Sequence, residues 1–325
     1  MNIKLKSLFV VICLSAFSQV GLAQRLTWPE AVRGERFHSS LDNSGQMAMF
    51  YASRSGESKP LIVILHQWKG GYKTISPLIQ MLVDADWNFI QPHLRGPSSE
   101  PLSCASPTAM SDIADAIAFA VRNADVDMDE IHIVGLKDGG HNALAAYATL
   151  DIPIKSVSAW AGVSDLLQWY NHIIGTKSYK FINFSDDMLS ATGSTEEKLN
   201  KREFNQRSPI KMRIPAGRKK TKLLLVAGNR DGKKNSGPVP PSQSVEMFNY
   251  VAGRFDGKKA KYISEEDLAK AVKGNAVGNP EGTIAGRKIL LHASNKYEEL
   301  IIFEGGHEMF YEELFARIPV NEKYR

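Results

Sequence analysis

Cysteine is scarce in this sequence, with two in 325 residues, Cys13 and Cys104. Cys13 falls in a segment expected to be removed, so Cys104 has no partner and an internal disulfide is excluded in any redox compartment. Its thiol is expected to be buried and idle. No Cys/His spacing suits a metal ion, so the sequence asks for neither a metal nor another cofactor. Repeats and heptads are missing, which excludes solenoids and coiled coils. No apolar run approaches the roughly 20 residues needed to span a bilayer, so no integral membrane segment is expected after cleavage of the leader. A strong charge of one sign is also lacking. The formal net charge is +5, and about +3 without Lys4 and Lys6. Basic clusters at Arg218-Lys219-Lys220 and Lys258-Lys259 have no aromatic residues interleaved and read as solvated loops, which argues against nucleic acid as a partner.

What is present begins with MNIKLKSLFVVICLSAFSQVGLAQ. A basic start, an apolar run from Leu8 and small residues ending at Ala23 read as a signal peptide over residues 1–23, and predict a secreted or periplasmic protein. Val11-Ile12 before Cys13 does not make a lipobox. Cleavage would leave 302 of the 325 residues, a size that fits a single α/β domain over 24–325.

Short apolar runs alternate with helical patterns. Strands are expected at 61–65, 88–92, 131–135, 156–160, 222–228 and 300–304, and helices at 75–86, 110–123, 141–150 and 242–252. Near-continuous apolar strands separated by helices predict a mostly parallel sheet covered on both faces, so the fold class is α/β. MAMFYAS at 47–53 is expected to add an antiparallel edge strand. Residues 164–215 and 253–299 break the alternation and read as small excursions without apolar cores of their own. The first carries a polar helical segment at 194–207, the second a helix at 264–273. Such excursions often roof a site at the carboxyl ends of the strands.

The segment IHIVGLKDGGHNAL, 131–144, has the frame of a nucleophile elbow: a strand, a sharp turn between small residues, then a helix. Gly135 and Gly139 flank the nucleophile position by two residues on each side, and that position is Lys137. In such sites an acid and then a histidine follow in chain order. LLLVAGNRDG places Asp231 just past one strand end, and IIFEGGHEMF places His307 just past another. The turn in LHQWKGGY offers an amide of Gln67 or Trp68 for an oxyanion hole, and the amide of Asp138 offers the second. His141 reads as a helix-face residue, and Trp160, Trp169 and Tyr170 as core or roof aromatics.

Six separated segments agree in order with one family: LHQWKGGY, WNFIQPHLRGP (87–97), VDMDEIHIVGLKDGGHNAL (126–144), VSAWAGVSDLLQWY (157–170), GPVPPSQSVEMFN (237–249) and IIFEGGHE. Over roughly 58–310 the chain resembles the secreted bacterial α/β-hydrolases of the prolyl oligopeptidase-like group. The resemblance implies an α/β-hydrolase fold, peptides or esters as substrate class, and acid and base roles for Asp231 and His307. In that family a serine stands where this chain has Lys137, and the usual His-Gly is here His66-Gln67. Serine peptidase or esterase activity is therefore not carried over.

Lysine has no hydroxyl for a histidine to deprotonate, and an ammonium at a helix N-terminus is disfavoured. Four readings stay open. Lys137 pairs with Asp138 or Asp231 and fills the old site; or it is a neutral amine nucleophile; or the register slips by one and Asp138 is the nucleophile; or Lys137, Lys69 and Arg95 bind the anionic group of an acidic glycan, peptide or small molecule. Ser164 is a further candidate for a displaced nucleophile.

Overall fold

Every residue of the run LIVIL at 61–65 is buried, as a strand covered on both faces requires. It forms most of β3 (Lys59–Leu65), near the middle of a ten-stranded sheet. The computed structural model describes residues 26–325; the leader expected at 1–23, with Cys13, lies outside them. In chain order the strands are β1 (Arg33–His38), β2 (Gly45–Tyr51), β3, β4 (Asn88–Pro92), β5 (Val126–Gly135), β6 (Ser156–Trp160), β7 (Lys222–Gly228), β8 (Thr283–Ile284), β9 (Arg287–Ser294) and β10 (Glu298–Phe303). Their order across the sheet is β1-β2-β4-β3-β5-β6-β7-β10-β9-β8. The six consecutive strands from β4 to β10 are parallel, and they are the six expected from the sequence. The antiparallel strands β1, β2, β9 and β8 flank them.

The helices are α1 (Pro77–Asp84), α2 (Pro107–Asn123), α3 (Gly140–Thr149), α4 (Leu166–Thr176), α5 (Ile182–Thr192), α6 (Lys201–Gln206), α7 (Ser242–Phe255), α8 (Glu265–Val272) and α9 (Tyr311–Arg317). Several start where the sequence supplies a cap. Ser106 accepts the Ala109 amide before α2, Asp165 the Gln168 amide before α4, and Ser264 the Asp267 amide before α8. Side chains of alternate β3 residues enter different cores. Leu61, Val63 and Leu65 join Ile113, Leu144 and Phe248 from α2, α3 and α7. Ile62 and Ile64 join Leu78, Leu82 and Leu314 from α1 and α9 on the other face.

Three expectations change. The 47–53 strand is antiparallel but not at the edge, because β1 pairs outside it. Of the 253–299 stretch, Arg287–Ser294 belongs to the main sheet, paired with β10. The 164–215 stretch does have an apolar cluster: Leu166, Trp169, Tyr170, Met188 and Phe204 pack with Trp68, Cys104 and Val239. Its members are too widely spaced in sequence for a helical period to expose them. The helix expected over 194–207 is confined to α6. No described helix is long and apolar enough to cross a membrane.

Candidate active site

At the end of β5 the chain turns through Lys137, whose φ of +53° is left-handed, into a short 3-10 turn over Lys137–Gly139 and then α3. A Cβ on Gly135 would stand 2.5 Å from the Gly140 Cα, and one on Gly139 would stand 2.6 Å from the Leu65 carbonyl oxygen. Side chains at either place would force this turn off the neighbouring loop. The elbow register is therefore the one read from the sequence, with Lys137 at its apex and no slip by one residue.

Asp231 follows β7 and His307 follows β10, so both loops rise beside the elbow. His307 Nδ1 donates to Asp231 Oδ2 at 2.7 Å. The other carboxylate oxygen, Oδ1, accepts the amides of Gly232 at 2.9 Å and Val239 at 3.0 Å. These bonds fix the acid while it holds the imidazole and its tautomer. Burial pulls the His307 pKa down. The hydrogen bond and charge of Asp231, with the charge of Asp138, outweigh burial and the opposing Lys137 and raise it above its ordinary value. Among the described residues nothing bonds His307 Nε2, and His307 lines the cleft above the elbow.

The backbone of Trp68 comes close to the elbow at Asp138. The Asp138 carboxyl is buried at the turn, where the nearby backbone N–H groups of Trp68 and of Asp138 itself favour its charged form. Burial raises the Asp138 pKa, against the charges of His307 and Lys137 and the two amides. Gln67 lines the cleft. His66 lies beneath the loop, with Nε2 2.9 Å from the His93 carbonyl oxygen, and burial lowers its pKa.

The cleft has a volume of about 490 Å³ and is lined by three lysines, Lys69, Lys137 and Lys180, together with Phe181 and Phe184. Lys180, Phe181 and Phe184 come from the excursion after β6, and no pattern in the sequence singled them out. The expected ion pair filling the site is not formed: no described carboxylate lies within 4.0 Å of the Lys137 ammonium. Lys69 pairs with Asp187 at 3.5 Å and sits over the Phe184 ring. Arg95 does not reach the cleft. It is held by Asp112 and by Asp42, the latter at 2.8 Å, beneath the α2 side of the sheet. Ser164 is fully buried, its Oγ donating to the Gln243 carbonyl at 2.7 Å, so no substrate reaches it. His141 is also buried. Its Nδ1 lies 2.9 Å from the Val163 carbonyl, and burial brings its pKa to about 4. Trp160 and Trp169 are core residues, and Trp169 Nε1 donates to the Pro238 carbonyl at 2.7 Å.

No family model matches the chain, and no curated protein is similar to it. Solved structures do resemble it. An acylaminoacyl peptidase from Pyrococcus horikoshii superposes with a TM-score of 0.53 at 19% identity, over 72% of this chain and 36% of that one. A puromycin hydrolase gives 0.55 at 17%, over 69% and 33%. Prolyl oligopeptidase B from Galerina marginata gives 0.52 at 15%, over 71% and 32%. The chain spans about a third of the length of these structures. With the parallel sheet and the elbow, the likeness establishes the α/β-hydrolase fold.

Proposed function

We propose that this protein is a prolyl oligopeptidase-like α/β-hydrolase relative that has given up serine hydrolysis and uses its cleft to bind an anionic ligand. One observation carries the reading: an ammonium side chain stands at the apex of an intact elbow, beside an intact Asp231–His307 pair. Lys137, Lys180 and Lys69 supply positive charge around the cleft, and Phe181 and Phe184 supply apolar surface. A peptide or glycan bearing a carboxylate or sulfate suits both. The leader at 1–23 supports a secreted or periplasmic setting.

Hydrolysis of p-nitrophenyl acetate and butyrate tests it. The natural chain is expected to be inactive, and fluorophosphonate is expected to label no serine. Lys137→Ser is expected to gain turnover, and Lys137→Ser with His307→Ala to lose it, because the restored hydroxyl needs the histidine to take its proton. Robust turnover by the natural chain that His307→Ala abolishes would overturn the proposal.

A further inference from the structure

Exposed apolar side chains that stand singly are ordinary on a protein surface, and a cluster of them is not. Among the described residues eight large apolar side chains are exposed, and three of them, Ile174, Tyr179 and Ile182, fall within nine positions. Ile174 is in the last turn of α4, Ile182 opens α5, and Tyr179 lies in the connection between the two helices. Tyr179 is 93% exposed, so almost nothing in the fold packs on it.

The charge around this tip has one sign. Residues 166–185 contain Lys177 and Lys180 and no acid, and residues 232–245, in the loop after β7, contain Lys233 and Lys234 and no acid. The two segments are bound together. Ser178 Oγ donates to the Lys234 carbonyl at 3.0 Å, and His172 Nε2 to the Gly232 carbonyl at 2.7 Å. Lys233 turns aside to the Val272 carbonyl, at 3.1 Å. Among the described residues no carboxylate lies within 4.0 Å of the Lys177, Lys180 or Lys234 ammonium groups. Of the acids that bound the first segment, Asp165 pairs with Lys211 and Asp187 with Lys69, which leaves Asp186 against three lysines.

We propose that this tip docks the protein on the surface of an anionic lipid bilayer. Two considerations select a bilayer over an acidic protein. A stable protein interface covers about 800 Å² on each partner around an apolar core, and three side chains separated by lysines do not make one. A lipid surface needs no matching shape. It takes the aliphatic side chains and the tyrosine ring at headgroup depth, with the hydroxyl in water, and its anionic headgroups take the ammonium groups. The proposal goes beyond the anion-binding reading of the cleft and does not depend on it. Lys180 also lines the cleft, so docking brings the cleft mouth to the membrane surface.

Cosedimentation with vesicles of phosphatidylcholine, alone or mixed with phosphatidylserine, tests it. The apolar leader would bind lipid by itself, so the expected mature chain, from Gln24, is used. It is expected to bind the mixed vesicles, to bind the neutral ones far more weakly, and to be released by salt. Lys177→Gln with Lys234→Gln should weaken binding roughly 25-fold, at about fivefold per lysine. Tyr179→Ser with Ile182→Ser should weaken it on the order of tenfold or more. Lys137→Ala, in the cleft, should keep it. Mixed vesicles should slow hydrogen exchange of the unmutated chain at 174–182, a readout that needs no variant to fold. Equal binding to neutral vesicles, binding unchanged in both double variants, or protection confined to another face overturns the proposal. So does loss of binding in Lys137→Ala, which would put the lipid in the cleft, or retention by soluble polyglutamate without binding to mixed vesicles, which would point to an acidic protein. Thermal stabilisation by sulfate reads the cleft separately, so either reading can fail alone.

Discussion

Lys137 keeps a left-handed backbone that its side chain does not require. For a residue other than glycine this costs about 1–2 kcal/mol, and a cation on a helix N-terminus adds roughly 0.3–1 kcal/mol. Glycine gives back part of that gain through its greater unfolded entropy. Lys137→Gly is therefore expected to raise the unfolding free energy by about 1 kcal/mol, measured by urea denaturation; a loss of stability would mean that the lysine side chain holds the loop. The positions of Lys137, Asp231 and His307 were legible in the sequence because each follows a recognisable strand end. The burial of the Asp138 carboxyl was not, because it depends on the Trp68 loop, which is distant in sequence, and no local pattern carries that information. The same holds for Arg95, whose basic charge suggested a ligand while Asp42 and Asp112 had already claimed it.

At the scale of elements, strands buried on both faces announce themselves and those with one wet face do not. The six parallel strands are apolar runs, whereas β1, with sequence RGERFH, buries only Phe37. It is strand because β2 offers it an edge. β9 was hidden by its polar ends and by the Gly- and Lys-rich chain before it. The roof formed by α4, α5 and α6 escaped notice because its core is assembled from single residues on separate turns. Trp169 is fully buried there, edge-on to Trp68 with ring centroids 4.9 Å apart. Trp169→Ala should destabilise the protein by roughly 3–5 kcal/mol, as loss of a buried aromatic side chain does, read from denaturant unfolding. A cost below about 1 kcal/mol would show that the roof is not packed as one body with the sheet.

For the molecule as a whole, buried histidines set the response to acid. Burial lowers the pKa of His66, of His132 and of His141, the last to about 4. The unfolded chain takes up these protons near the ordinary histidine value of 6.5 while the folded chain resists, so their contribution is present above that pH and is lost as pH falls toward 4. For His141 alone the loss is about 3 kcal/mol. His307 acts in the opposite sense: its raised pKa favours the fold below pH 6.5, a contribution lost as pH rises through the folded value. Half-buried His93 is shifted down in the same way, so four histidines oppose one and stability is expected to fall on acidification from pH 6.5 to 4. His141→Asn, which keeps a donor for the Val163 carbonyl, should flatten that decline. An unchanged pH profile by calorimetry would remove His141 from the account.

Trp68 belongs to two structures at once. Its backbone faces Asp138, while its indole packs in the roof and donates to Asp187 of α5 at 3.1 Å. Asp187 in turn pairs with Lys69 at the rim of the cleft. A ligand that pulls on that amide therefore loads the roof. By thermodynamic reciprocity, anything that grips the outside of α4 and α5 and changes ligand affinity must itself be gripped more or less tightly, by the same factor, when the cleft is filled.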